Sequence, residues 1–229
     1  MPQAELKCDR RSLRSQRALM HAFAGQLADG EELSRITVGA LTDRAGLTRR
    51  TFYTHYRDIP DFVAAVERIL IGEIRELIMG LSKATLPEVY ESIQDLEPAP
   101  GSVRLLEYFV ENRAVISGLL GPAGDPAFIK RIVDMARDAI SERMQMGIYP
   151  EALGTFFDYY VSYVVSAETG MVQRWFENGM AEGPETMARI MTVIAFVRPG
   201  DLYGLPIDIN VPAYGMKLMN LSTEENEGI

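Results

Sequence analysis

Residues 36–62 read ITVGALTDRAGLTRRTFYTHYRDIPDF. Thr37 is placed to cap a short helix from Val38 to Ala45, because its hydroxyl can accept a backbone N–H of the first turn. Gly46 follows where a turn needs a left-handed backbone, which glycine adopts without steric cost. Thr48 caps a second short helix that ends near Tyr56. Val38, Leu41, Ala45, Leu47 and Phe52 are spaced to pack the two helices together. Thr48, Arg49, Arg50, Thr51, Tyr53, Thr54 and His55 are left for the outer surface. Two short helices joined by a tight turn, with arginines on the second, have the shape that enters a major groove. Arginine offers a two-pronged donor to guanine or phosphate, and Thr and Tyr hydroxyls donate to phosphate oxygens. Similar units also occur in ordinary helical bundles, so spacing alone leaves a purely structural role open.

Working outward, Asp58 caps the next helix, with Pro60 tolerated in its first turn. That helix runs to about Leu81 and carries Phe62, Val66, Ile69, Leu70, Ile74, Leu77 and Ile78 at helical spacing. Upstream, residues 1–11 read as a mobile arm, and Ser12 can cap a helix running to about Asp29. Beyond 82–101, where EPAPGS breaks the pattern, helices are expected at about 102–119, 126–146, 150–178 and 184–198. The tail from Pro199 ends in STEENEG, whose composition suits disorder. The fold class is therefore all-α. Its expected parts are a three-helix head with the helix-turn-helix at 1–58, a helical effector-binding and dimerisation body at 59–198, and an irregular tail at 199–229.

The 229 residues carry a net charge of −9, which argues against a nucleic-acid partner until its distribution is considered. Residues 1–57 hold ten Lys/Arg against six Asp/Glu, a balance of +4; residues 58–229 hold thirteen against twenty-six, a balance of −13. A basic head on an acidic body fits a protein that meets phosphate at one end only. Mean hydropathy is −0.03, and no apolar run approaches the ~20 residues of a membrane span. The N-terminus lacks the apolar core of a signal peptide, and the single Cys8 excludes an internal disulfide framework. A cytoplasmic location is expected, with no membrane partner. His21, His55 and Cys8 give no zinc spacing, and neither a nucleophile elbow nor a phosphate-binding glycine loop is present. No catalytic residue, metal or cofactor is expected, so the enzyme reading is set aside.

From about Arg14 to Ile69 the chain resembles the DNA-binding domain of the TetR family of bacterial transcriptional regulators, most specifically in AGLTRR followed by TFYTHY. LEYFVENRAVISGLLG, DPAFIKRIVD and VQRWFENGMAEGPETMARIM resemble the ligand-binding domain of one branch of that family, in the same order. The resemblance implies a ligand-responsive homodimer, more often a repressor, on a palindromic double-stranded DNA operator. By position, Thr37 and Tyr53 would contact phosphate. Thr48, Arg49, Arg50 and Thr51 would face bases or phosphate, and His55 would lie near the backbone. Family members commonly carry a lysine at the start of the fourth helix; here Ile59 stands there, and Arg57 is the expected substitute. Arg10, Arg11 and Arg14 of the arm are expected to add sequence-independent attraction. A small apolar or aromatic effector is expected in the body, with Phe109, Met135, Tyr159, Tyr160 and Tyr163 as candidate contacts. For the dimer, Val164, Ala167, Met171, Val172, Trp175, Met187, Ile190, Met191 and Ile194 form a broad apolar face. The other reading kept open is a helical binding or scaffold protein that has lost DNA binding.

Overall fold

The computed structural model describes residues 2–81, 86–120, 125–144 and 155–195. Among them are ten α-helices, one 3-10 turn at Leu33–Arg35, and no strand. The helices are α1 (Pro2–Ala28), α2 (Val38–Ala45), α3 (Arg49–His55), α4 (Ile59–Leu81) and α5 (Leu86–Gln94). Then come α6 (Ser102–Glu111), α7 (Arg113–Leu120), α8 (Pro126–Met144), α9 (Thr155–Glu177) and α10 (Pro184–Ile194). No helix of the described residues is long and apolar enough to cross a membrane. The tail expected from residue 199 lies outside the described residues. By internal contacts the chain forms two units, residues 1–73 with 108–131, and residues 74–107 with 132–229. The division falls inside α4, between Glu73 and Ile74.

In the first unit, α1 differs from expectation. The helix begins at Pro2 rather than near Ser12, so the expected arm is helical. The reason is compositional: residues 2–11 contain no glycine, their one proline sits at the first helical position, and Ala4, Leu6, Lys7, Arg10 and Arg11 favour helix. The core is aromatic. Phe23, Phe52 and Phe62 are fully buried, with Leu19 and Leu41 beside them. Phe62 meets Phe23 edge-on at 5.3 Å and Tyr56 at 5.0 Å. Burying each such ring contributes about 2–3 kcal/mol, and the edge-to-face geometry adds about 1 kcal/mol. α7 packs against α1 through Gly118: a Cβ there would stand 2.8 Å from Leu27 Cδ1. The helix expected at 102–119 is two helices, α6 and α7, which meet at Asn112. The Asn112 side chain and its backbone N–H both donate to Tyr108 O, each at 3.0 Å.

The second unit packs Ala136, Phe157, Val161 and Val165 into one cluster, with Ile78, Val133 and Phe156 against it. Trp175 and Met187, expected on the face that pairs with a second copy, are buried in this chain at 2% and 6% exposure. Trp175 continues the Val161 and Val165 face of α9 by helical spacing, and its indole N–H donates to Glu182 O at 3.0 Å. Glu168 shares that face. Burial pushes its carboxyl up to about 7, and no opposite charge pulls it back.

An acid raised in this way binds more protons folded than unfolded, so its unfavourable effect grows as pH rises from the ordinary carboxylate range to about 7. Glu168→Gln is therefore expected to stabilise the protein at pH 8 by up to about 3 kcal/mol, at 1.36 kcal/mol per pKa unit, and to change little at pH 5. Urea unfolding at the two pH values checks this. An equal change at both would refute it.

Candidate nucleic-acid interface

The helix-turn-helix forms as its residues dictate. Thr37 Oγ1 accepts the Ala40 N–H at 3.2 Å, and Thr48 Oγ1 accepts the Thr51 N–H at 3.2 Å. Gly46 takes φ 64° and ψ 32°, and Leu47 N–H closes the turn on Thr42 O at 2.9 Å. Thr42 itself is buried, with its hydroxyl donating to Val38 O at 2.7 Å, so α2 buries no unsatisfied hydroxyl there. Phe52 anchors α3 to the core at 0% exposure.

With Phe52 inward, the opposite side of α3 is fixed outward. Thr37, Thr48, Arg49, Arg50, Tyr53 and Arg57 are exposed, while Thr51 and His55 are half-buried. Tyr53 is 58% exposed, yet its ring lies edge-on to Phe52 at 5.5 Å, so its hydroxyl is held outward on a packed stem. Tyr56 packs inward, where burial, and secondarily Asp61, push its phenol above the usual range. All eight expected DNA-contacting residues thus fall within one short segment, and none of them is fully buried.

Charge pairing distinguishes these arginines. Arg49 and Arg50 have no ion pair among the described residues, whereas Arg44 is tied to Asp29 at 2.6 Å. Arg57 is tied as well: its guanidinium meets Asp61 at 3.2 Å, and its backbone N–H donates to the same carboxylate at 2.9 Å. Those contacts hold the Asp61 carboxyl below the usual carboxylate range, the backbone N–H contributing most. The Arg57 side chain is still 86% exposed, so it can reach phosphate only while sharing its charge with Asp61.

One contributor escaped the sequence reading. Gly39, in the first turn of α2, is buried, and a Cβ on it would stand 2.6 Å from Arg49 Nη2. The missing side chain is a seat on which the Arg49 guanidinium lies. A glycine in the first turn of a helix was the signal, and periodicity gave no reason to link it with Arg49.

The residues expected to contact an effector are placed differently from one another. Phe109 and Met135 are buried, at 8% each. Tyr159, Tyr160 and Tyr163 are exposed, at 74%, 39% and 66%. The second unit has an open apolar groove of about 350 Å³ lined by Leu96, Arg189, Ile190, Val193 and Ile194, none of which was a candidate effector contact.

Residues 97–196 match the family described as Transcriptional regulator C-terminal region, one of the TetR C-terminal families. Over 185 residues the chain is 25% identical to the uncharacterized HTH-type transcriptional regulator YxbF of Bacillus subtilis (strain 168), covering 81% of this chain and 45% of that protein. The chain thus spans under half the length of this curated relative. A TetR family transcription regulator from Marinobacter aquaeolei VT8 is 18% identical, with 82% of this chain and 97% of that chain covered at a TM-score of 0.49. The helix-turn-helix of α2 and α3 lies ahead of the region matched to that regulator C-terminal family. The likeness to a TetR C-terminal family thus covers residues 97–196, under half of the chain.

Proposed function

We propose that the protein is a ligand-responsive repressor that acts as a homodimer on a palindromic operator, with residues 1–58 as its head and 59–198 as its body. The observation that carries the reading is the pair of unpaired, exposed guanidiniums of Arg49 and Arg50, presented by a helix whose inner residue Phe52 is fully buried. In this reading Arg49, Arg50, Thr48 and Thr51 meet bases or phosphate. Thr37 and Tyr53 hold phosphate from two helices, His55 lies near the backbone, and Arg57 adds a contact shared with Asp61. A chromosomal target goes with a cytoplasmic location.

For the dimer, the exposed side of α9 carries Tyr160, Tyr163, Ala167 and Gly170, and that of α10 carries Ile190 and Ile194. These supply the apolar face that Trp175 and Met187 were expected to provide. The effector is a small apolar or aromatic molecule held in the body, with Met135 as the buried candidate of the second unit. Its binding would favour a body conformation that moves the two heads out of register, a coupling of typically ~1–3 kcal/mol. The scaffold reading rests on one feature, the Arg57–Asp61 tie beside Ile59 where the family carries a lysine.

Selection of bound duplexes from random DNA tests the proposal. A palindrome should be enriched, with half-sites about 34–36 Å apart or a multiple of it. No enrichment would favour the scaffold. A single unpaired half-site would remove the dimer from the proposal.

A further inference from the structure

The geometry points to a second DNA-contact surface outside the helix-turn-helix: Arg10, Arg14 and Arg17 form a stripe on α1 that lies along phosphates flanking each half-site. This rests on the DNA-binding reading above and extends it to a surface that reads no sequence.

α1 has 27 residues, about 40 Å of helix at 1.5 Å per residue. Its core face is marked by Leu19, Ala22 and Phe23, which are 0%, 5% and 0% exposed. At 100° per residue, Arg10, Arg14 and Arg17 fall on the opposite side, and all three are exposed. His21, also exposed, continues the stripe by one turn. Arg11, which sequence alone grouped with the arm, points off this line.

None of the three arginines has an ion pair among the described residues. The contrast with the rest of the chain is sharp. Arg35, Arg44, Arg57, Arg75, Arg104, Arg131, Arg137, Arg174 and Arg189 are each paired with a carboxylate. Outside α1 and α3, only Arg68 and Arg113 are without one among the arginines whose side chains are described. Uncompensated guanidiniums thus concentrate on the recognition helix and on this stripe.

The stripe lies N-terminal to the turns of α1 that pack on other helices. The C-terminal turns are occupied: Leu27 lies against Gly118 of α7, and Gly25 lies beneath the Arg44 guanidinium of α2. The arginines occupy the other half of the helix. Phe23 of α1 and Phe52 of α3 both touch Phe62, so the two helices share one packing centre. From Phe23, Arg17 is about 9 Å and Arg10 about 20 Å further along the axis. That offset places the stripe about 9–20 Å along α1 from the packing centre the two helices share. The three arginines span about 10 Å of axis, and phosphates of one strand rise about 3.4 Å apart, so about three phosphates match the stripe.

An anionic membrane surface would be the rival partner. A helix lying in that surface buries an apolar face, and the apolar face of α1 is already spent on Leu19 and Phe23 in the protein core.

The test compares the full chain with its Arg10→Gln, Arg14→Gln, Arg17→Gln variant. Binding to the selected operator is followed across a salt series, on a duplex trimmed to the palindrome and on one extended by about ten base pairs at each end. At about 0.9 per phosphate released, the log–log salt slope of the variant should fall by about 2.7 per protomer on the extended duplex. It should fall much less on the trimmed one, with the preference for operator over scrambled sequence unchanged. Equal slopes for variant and wild type would overturn the inference. So would an equal loss on both duplexes, or a variant that instead loses binding to vesicles rich in phosphatidylserine. A wild-type chain that binds no duplex would overturn the functional reading itself, and this inference with it.

Discussion

Replacing Arg49 and Arg50 together by alanine is expected to lower affinity for the selected operator by about 100-fold or more while leaving the fold intact. Each guanidinium that reads a base bidentately is worth about 1–3 kcal/mol, and here neither has an intramolecular carboxylate to fall back on. Both side chains are exposed, so their removal opens only the surface hollow over Gly39 and strands no ion-pair partner. α3 keeps its Thr48 cap and its Phe52 anchor. Fluorescence anisotropy against the operator gives the affinity, and a thermal melt gives the control. An unchanged affinity would remove α3 from the DNA contact and would favour the scaffold reading. A loss of affinity accompanied by a lower melting temperature would mean that the arginines support the fold.

Arg131→Met is expected to produce the largest loss of stability. Arg131 of α8 donates to Glu67 of α4, and to Asp125 at 2.8 Å. Glu67 is only 4% exposed, and its Oε1 is buried without a hydrogen bond. Burial raises the Glu67 carboxyl above its ordinary range, and Arg131 opposes that. Removing one partner of a buried pair typically costs about 3–5 kcal/mol because the other charge is stranded. Arg131 is itself 41% exposed, so about 2–3 kcal/mol is the expected figure at pH 8 after allowing for solvent screening. Without the guanidinium, the folded-state pKa of Glu67 rises further. The folded state then holds a proton that the unfolded state releases, and stability falls as pH rises through that window. The loss should therefore shrink at pH 5, and Glu67→Gln added to Arg131→Met should recover much of it at pH 8. Urea unfolding of the single and double variants decides the matter. A pH-independent loss would trace the effect to lost packing of the arginine stem instead.

The helix-turn-helix was legible because its signals are local. Thr37, Gly46 and Thr48 act on their own backbone within a few residues, and α2 and α3 begin and end where those residues say. The far end of α1 was misjudged for a related reason: a stretch rich in charge but free of glycine is compatible with both an arm and a helix, and no cap separates them. The break between α6 and α7 is a single residue, Asn112, too short for periodicity to register. Burial in the body was the least legible. Trp175 and the tyrosines of α9 share one helix and similar chemistry, and only the register against Phe157, Val161 and Val165 sends one inward and the others out. The link from Glu67 to Arg131 joins residues 64 positions apart, which no local pattern announces.

The seat that Gly39 provides for Arg49 bears on any attempt to re-engineer α3. Grafting a new α3 sequence alone would leave a hollow made for one guanidinium beneath whatever side chain replaces it. Conversely, filling that hollow with alanine would tilt the arginine while leaving α3 untouched. If α3 reads an operator as proposed, that preference would be set across two helices, and libraries aimed at altering it should vary position 39 together with position 49.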